Sequence, residues 1–498
     1  MSEPETFASV PRGDFIRSGM VRMWLVAALG KGGGQVIQLI SLAILARLLV
    51  PADFGVIAMV MAVIGVAGIF SDMGLSAATI RAKHITEGQA SALLLLNISF
   101  GLLVSVAVFL LVPLLTGLYD DPRTLKLGQM LAWSFVLNSL GTQHLALLRR
   151  QLKFSLLAKM NVASIFVGQL VAIAMAVGGW EYWSLAVAML VTSALRVMFA
   201  WWFNPWRPGK PEGGRELRAM IGFGGYLVVF ALMGYAALNV HNVILGWRYS
   251  AEDVGFYTRA FAILALLVGY VTAPLDAVAP AALARMTDDP ESYRETYIHT
   301  VRTMLLLAAP IGFVCLVGAN DIVAIILGDQ WQAAVVVLQL LALSVVPRVI
   351  CNSSGWLYQS HGDSRSMMQW GVGGWGVLIL LQVIGVQYGV QGVAAAYSIG
   401  MFILLYPCMK LAFRRSTICM RDLKGGLPIV AAAMLSSVIM YLFSEILEDC
   451  LPGVRMVLLL LIFGGSYLAL LIAFRQKPLL NELIEQITSR TSAKVVQS

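Results

Sequence analysis

Long apolar stretches recur along this chain and restrict its fold more than any other feature. Stretches 93–115 and 454–474 contain a single charged residue between them, Arg455. A helix needs about 20 such residues to cross the hydrocarbon core of a bilayer, and its backbone groups are hydrogen-bonded within the segment. Strands of a membrane barrel would instead alternate apolar and polar residues over about 10 positions. The sequence therefore predicts an all-α polytopic membrane protein.

The composition supports the same conclusion. Hydrophobic residues make up 59% of the 498 residues and charged residues 12%, whereas soluble chains carry about 25% charged residues. The segment 1–22 is polar and has no cleavable signal pattern, so we expect the first span to act as its own insertion signal. None of the five cysteines forms a CxxC motif, and we interpret them as incidental thiols.

The apolar stretches predict about fourteen transmembrane helices. Pro- and Gly-rich residues 204–215 and basic residues 414–426 divide these spans into three groups. The predicted ranges are 23–49, 54–80, 89–117, 124–148, 158–178 and 181–203; then 217–246, 254–283, 297–318, 331–358, 366–387 and 391–413; and finally 427–447 and 454–474.

Two short repeats indicate that the first twelve spans form two related lobes. Asp53-Phe-Gly55 returns 200 residues later as Asp253-Val-Gly255, and 129–134 (QMLAWS) returns 210 residues later as 339–344 (QLLALS). Six spans per lobe bring both lobes into the membrane from the same side, and transporter sites lie at such repeat interfaces. We predict an N-lobe over 1–215, a C-lobe over 216–420, and a region 421–498 with spans 13 and 14 and a cytoplasmic tail.

Charge in the loops predicts the orientation. Basic residues concentrate in alternate loops, as in 149–153 and 414–424, whereas the other loops are acidic, as in 120–121 and 445–449. Because Lys and Arg favour cytoplasmic loops, we expect both termini in the cytoplasm. This asymmetry also accounts for the net charge of +8 without a nucleic-acid partner.

Motifs of catalysis or cofactor binding are weak or missing in the sequence. The match to GxGxxG at 371–376 lies within a predicted span, whereas a dinucleotide fingerprint requires a preceding strand. The Ser360-His361-Gly-Asp363 sequence lies in a short turn, where adjacent residues do not easily converge as a triad. We therefore predict a protein that is not an enzyme and has no resident cofactor or metal.

Charged residues inside the predicted spans are the strongest candidates for function, because each costs roughly 2.5–3.5 kcal/mol at the bilayer centre and usually faces a cavity or a partner. The candidate substrate-binding cations are Lys31, Arg47, Arg196 and Arg348; Arg259 lies one turn into span eight. An alternative for each is that the side chain extends to the membrane interface. A cationic cavity suits an anion such as pyrophosphate, and nearby tryptophans suit sugar rings.

Two intramembrane carboxylates stand apart from these cations. Asp72 precedes Met-Gly-Leu in span two, and Asp276 lies between Pro274 and Pro280 in span eight. The prolines interrupt helical hydrogen bonding and supply a bend. Each carboxylate is a candidate for H⁺ or Na⁺ coupling, and the alternatives are an ion pair with an intramembrane cation or a cap that faces the cytoplasm.

Several motifs together resemble a known transporter family. They are 30–35 (GKGGGQ), 45–55 (LARLLVPADFG), 70–75 (FSDMGL) and 327–331 (LGDQW). The chain resembles the Wzx-like polysaccharide and oligosaccharide flippases of the colanic acid and teichuronic acid exporter type. These belong to the multidrug/oligosaccharidyl-lipid/polysaccharide (MOP) exporter superfamily.

That resemblance implies a MATE-like arrangement of two six-helix lobes around a central cavity, with two extra C-terminal helices that can shelter a lipid tail. The implied activity is alternating-access transfer of an undecaprenyl-pyrophosphate-linked repeat unit across the bacterial inner membrane, for lipopolysaccharide or exopolysaccharide. Implied partners are this substrate, membrane lipids, a polysaccharide polymerase and a chain-length regulator. The runner-up function is another MOP transporter, either a drug/cation antiporter or a lipid II flippase.

Overall fold

The structure is a computed structural model that describes residues 34, 36–72, 79, 85–212, 225–476 and 479, with the backbone alone at 70–72 and 225–231. Apart from short 3-10 turns, the regular elements in these ranges are α-helices. The predicted all-α fold class is therefore confirmed. The chain divides into two compact units, which are described in turn.

Unit 1 comprises Met1–Arg259 and Val386–Val390. It contains seven helices in the described ranges and the start of an eighth. They are α1 (Val36–Leu48), α2 (Pro51–Asp72), α3 (Glu87–Tyr119), α4 (Arg123–Arg150), α5 (Phe154–Val177), α6 (Glu181–Phe203), α7 (Gly225–Arg248) and the first turns of α8 (Ala251–Ala284).

Unit 2 comprises Ala260–Gly385 and Gln391–Ser498. It contains the rest of α8 and eight further helices in its described part. They are α9 (Pro290–Val317), α10 (Ala319–Ile326), α11 (Ala333–Ala342), α12 (Val345–Ser360), α13 (Ser364–Gly385), α14 (Gly389–Ala412), α15 (Leu427–Ile446) and α16 (Pro452–Ala473).

Each predicted span overlaps a described helix, but the total of fourteen stays a prediction. By length and composition, nine helical segments in the described ranges can cross a membrane, or ten if α11 and α12 form one span. Those two helices meet at a bend of 52°, within a range that the sequence predicts as one helix. The short helix α10 was not predicted.

The ends of several helices follow from local sequence. Thr86 caps α3: its hydroxyl accepts a hydrogen bond from the backbone N–H of Gln89, whose side chain accepts one from the N–H of Thr86. At α9, Asp289 accepts from the N–H of Ser292, and Pro290 takes the first helical position, where its missing N–H removes no helical bond. These caps fix where two predicted spans begin.

The two copies of the repeated Asp-x-Gly motif meet inside unit 1. A Cβ atom built on Gly55 would lie 1.6 Å from the carbonyl oxygen of Ala251, and one built on Gly255 would lie 2.1 Å from the carbonyl oxygen of Pro51. In each contact, the glycine of one motif copy meets the residue four positions before the glycine of the other copy. The two contacts are therefore related by a local pseudo-two-fold axis. We call Pro51, Gly55, Ala251 and Gly255 the glycine clasp.

Tyrosine hydroxyls fasten α2 to its neighbours in unit 1. Tyr235 of α7 donates to the carbonyl oxygen of Met61 over 2.7 Å, and its ring crosses α2 at Gly65, where a Cβ would lie 1.9 Å from the tyrosine oxygen. Tyr119, the last residue of α3, donates to the carbonyl oxygen of Met59 over 3.3 Å. Helix α2 is thus packed tightly against α7 and α3.

The last helix, α16, is fastened to the rest of unit 2 at both ends. At the start of α16, Arg455 forms a two-oxygen ion pair with Asp321 of α10, with Nε 2.9 and 3.0 Å from the carboxylate oxygens. Tyr467 donates to the carbonyl oxygen of Leu306 in α9 over 3.0 Å. Beyond the other end of α16, Arg302 donates to Gln476 over 2.7 Å. These contacts join α16 to α9 and α10 within unit 2.

Candidate functional site

Arg348 lies in the first turn of α12, directly after the bend. Pro347 precedes it in this turn, where proline is tolerated because its N–H would have no helical partner. The guanidinium carbon of Arg348 lies 5.3 Å from the ring centroid of Phe261. Its Nη1 atom is buried and has no hydrogen-bond partner among the described residues. Among the described residues, the guanidinium is therefore held against an aromatic ring and keeps one buried N–H group without a hydrogen-bond acceptor.

Arg259 shows the same arrangement in unit 1. It lies in the third turn of α8, and its guanidinium carbon is 4.8 Å from the ring centroid of Phe54. Its Nε atom is buried and has no hydrogen-bond partner in the described ranges. Cation–π contact stabilises such a charge by roughly 0.5–2 kcal/mol, and the partnerless Nε–H group could donate to an anion.

Arg196 and Arg47 differ from this pattern. Nη2 of Arg196 in α6 donates to Oδ1 of Asn161 in α5 over 2.8 Å, so an amide on the neighbouring helix orients this cation. Arg47 is exposed near the end of α1. The structure therefore gives each of the two a different environment from that of Arg348.

Asp276 in α8 is hydrogen-bonded to two neutral groups of α12. Its Oδ1 atom accepts from Nδ2 of Asn352 and from Nε1 of Trp356, each over 2.7 Å. Asp276 and Asn352 are both exposed, whereas Trp356 is buried. In the described part of the chain Asp276 forms no ion pair, and its coupling to an ion stays a prediction.

Two of the predicted site residues cannot be placed. Lys31 lies outside the described residues, and Asp72 is the last residue of α2, with its side chain outside them. Arg259 was not among the binding residues predicted from the sequence, although a charge near the start of an apolar helix was a usable signal. No sequence signal pointed to Asn352 or Trp356 as partners of Asp276, because 76 and 80 residues separate them along the chain.

Unit 1 also contains an apolar cavity of about 600 Å³ between α2, α3 and α7. Its lining includes Ala67, Leu111, Leu115, Tyr235 and Val243. The Tyr235 hydroxyl is already bonded to a backbone carbonyl, so the cavity offers a charged group no counter-charge. It suits hydrocarbon better than pyrophosphate.

The Ser-His-x-Asp turn is a structural connection between α12 and α13. Oγ of Ser360 lies 2.7 Å from the hydroxyl oxygen of Tyr293, and Asp363 pairs with Arg415 over 3.0 Å. Burial alone would raise the pKa of the Asp363 carboxyl, but hydrogen bonds from Ser366 and the charge of Arg415 lower the pKa overall. These partners hold the turn in place. Over the described residues, no group of three or more His, Cys, Asp and Glu side chains could hold a metal ion.

Comparisons with known proteins identify a family to which this chain is similar. A family described as polysaccharide biosynthesis protein matches residues 44–336, more than half of the chain. The lipopolysaccharide biosynthesis protein WzxC of Escherichia coli K12 is 26% identical over 325 residues, which are 64% of this chain and 65% of WzxC. The teichuronic acid biosynthesis protein TuaB of Bacillus subtilis 168 is 26% identical over 62% of this chain and 64% of TuaB. The matches therefore span just under two thirds of these relatives.

Solved structures support the same fold. The lipid II flippase MurJ in its inward closed conformation matches with a TM-score of 0.73 at 14% identity, over 91% of this chain and 99% of MurJ. An inward-facing MATE-family multidrug resistance transporter of the MOP superfamily matches with a TM-score of 0.64 at 15% identity, over 78% of this chain and 96% of that one. At such identities the likeness concerns the fold alone. The chain belongs to the polysaccharide biosynthesis protein family.

Proposed function

We propose that this protein transfers an undecaprenyl-pyrophosphate-linked oligosaccharide from the inner to the outer leaflet of a bacterial inner membrane. The transported unit serves the synthesis of a surface polysaccharide. The observation that carries this proposal is the guanidinium of Arg348, which lies against Phe261 and whose buried Nη1 atom has no hydrogen-bond partner among the described residues. A pyrophosphate bears the negative charge that such a cation lacks, and a planar guanidinium binds phosphate oxygens in pairs.

Arg259 in unit 1 is a second candidate for binding an anion, because its guanidinium lies against Phe54 and its buried Nε atom has no hydrogen-bond partner in the described ranges. Lys31, Arg47 and Arg196 remain proposed substrate-binding cations. A cation exporter would instead be expected to present carboxylates in its cavity. If the transport is ion-driven, Asp72 and Asp276 are the candidate positions for coupling to H⁺ or Na⁺; for Asp276, ion coupling is the alternative to a role in substrate binding.

The proposed mechanism is alternating access between two six-helix lobes, with both termini in the cytoplasm. Basic residues in alternate loops support that orientation. The proposed partners are the lipid-linked substrate, membrane lipids, and a polymerase and chain-length regulator that act on the exported repeat units.

A deletion strain tests this function. We expect undecaprenyl-linked repeat units to accumulate on the inner leaflet and the surface polymer to be lost, and we expect the wild-type gene to restore both. Arg348→Glu should fail to restore export at equal protein level, because it places a negative charge where the pyrophosphate binds. The matched control is Lys159→Gln, which removes one positive charge from an exposed position on α5 and should restore export.

Other results would point elsewhere. Normal surface polymer and normal lipid intermediates in the deletion strain would contradict the proposal. Accumulated lipid II would identify a peptidoglycan-precursor flippase, and a changed drug tolerance alone would identify a drug antiporter.

A further inference from the structure

One face of α12 is uncovered and polar. Arg348, Asn352, Gly355 and Gln359 are not buried, whereas most other residues of this helix are. At 100° per residue these four positions fall within about 60° of arc, and they extend over about 16 Å of helix. We call them the α12 polar stripe. A stripe of amides and a cation is unexpected on a helix inside a membrane unit.

Asp276 of α8 lies beside this stripe, at the level of Asn352. The exposed carboxylate and amide are joined by the 2.7 Å hydrogen bond from Nδ2 of Asn352 to Oδ1 of Asp276. An ionised Asp is costly to place against lipid. We therefore infer that this exposed pair faces water.

The hydrogen bonds decide which atoms remain available to a ligand. Both donors, Nδ2 of Asn352 and Nε1 of Trp356, point at Oδ1 of Asp276. An amide that donates through Nδ2 directs its own Oδ1 away from the carboxylate. Oδ2 of Asp276 accepts no hydrogen bond from the described residues, so two acceptor oxygens remain open, one on each side chain.

Two acceptor oxygens suit a ligand that donates hydrogen bonds. Adjacent hydroxyls of a sugar donate in this way, and a buried Trp356 fixes the carboxylate for them. A bare cation suits the site less well, because two N–H groups already present their positive ends to Oδ1. A pyrophosphate suits it least, because it brings acceptors and negative charge to a carboxylate.

We propose that Asp276 and Asn352, positioned by Trp356, bind hydroxyl groups of the glycan carried by the substrate. This assignment rests on the proposed function and divides the substrate between two places in unit 2. Arg348, one helical turn from Asn352 on the same stripe, binds the pyrophosphate. The Asp276–Asn352 pair recognises the sugar hydroxyls and thereby contributes to substrate specificity.

Equilibrium binding to the purified full chain in detergent tests the assignment. The two radiolabelled probes are the lipid-linked repeat unit extracted from the deletion strain and undecaprenyl pyrophosphate without sugar. Asp276→Asn and Asn352→Ala should each weaken binding of the repeat unit about tenfold and leave binding of the bare carrier unchanged. Trp356→Phe, which removes the orienting N–H, should have a smaller effect in the same direction.

Two further variants complete the design. Arg348→Gln should weaken binding of both probes alike, because both carry the pyrophosphate. Val278→Ala, at an exposed apolar position two residues from Asp276, should change neither affinity.

The outcomes separate the two proposals. If the wild type binds neither probe, the proposed function fails and this assignment fails with it. If the wild type binds both and Asp276→Asn weakens both equally or neither, only the glycan site is overturned. If Asp276→Asn abolished a Na⁺ or pH dependence of transport and left both affinities intact, Asp276 would be an ion site. That result would also overturn the glycan assignment.

Discussion

The glycine clasp gives a prediction whose size follows from two distances. The Cβ of Gly55→Ala would lie 1.6 Å from the carbonyl oxygen of Ala251, and that of Gly255→Ala would lie 2.1 Å from the carbonyl oxygen of Pro51. Cβ atoms essentially never approach another heavy atom within 3.0 Å. The helices must therefore separate by about 1.4 Å in the first variant and about 0.9 Å in the second. These values are the differences between the 3.0 Å limit and the two distances.

Both obstructing atoms belong to the backbone, so no side-chain rotation relieves the overlap. Overpacking typically costs 1–3 kcal/mol, and we expect Gly55→Ala to lie near the upper end, at about 3 kcal/mol. For a folding unit of this size, that corresponds to a fall of about 6–12 °C in melting temperature. Gly255→Ala should show a smaller fall, because its overlap is smaller.

The assay is thermal unfolding of the purified protein in detergent. The matched control is Gly117→Ala in α3, where no atom lies within 4 Å of the added Cβ; its melting temperature should stay the same or rise slightly, because alanine favours helix. If Gly55→Ala melts at the same temperature as Gly117→Ala, the two motif copies do not touch and the reasoning is refuted.

Two further predictions concern contacts between helices. Asp321→Asn should destabilise unit 2 by about 3 kcal/mol, because it leaves Arg455 partly buried without its counter-charge. The double variant with Arg455→Gln should lose less stability than the sum of the two single losses, and a loss equal to that sum in thermal melts would contradict the ion pair. Tyr235→Phe should cost about 1 kcal/mol of stability by removing the hydrogen bond to Met61. Gly65→Ala should cost more, because its Cβ would lie 1.9 Å from the tyrosine oxygen. A lower melting temperature for Tyr235→Phe than for Gly65→Ala would contradict this packing.

Helix positions could be predicted from the sequence because lipid imposes a simple requirement on each span. Apolar length alone located most helices to within a few residues, for example 181–203, which coincides with α6. The bend between α11 and α12 was missed because both halves are apolar and the break is short. The short helix α10 was missed because eight residues cannot form a span.

The candidate site was predictable only in part. Arg348 and Asp276 could be chosen as candidates because a charge in an apolar stretch is conspicuous by itself, and their roles stay predictions. Their surroundings depend on which helices pack together, and apolar stretches carry little information about pairing. The Asp-x-Gly repeat was visible in the sequence, but the contact between its two copies required the packing of α2 against α8.

Transfer of the glycan between leaflets is the most direct test of the whole account. The purified protein is reconstituted into vesicles that carry the lipid-linked repeat unit, and the fraction of glycan accessible to an external glycosidase is followed over time. We predict that the accessible fraction rises above the half initially outside in vesicles with the wild type and stays near one half in vesicles with Arg348→Glu or without protein. An accessible fraction that stays at one half with folded wild-type protein, across imposed Na⁺ and pH gradients, would contradict the flippase assignment.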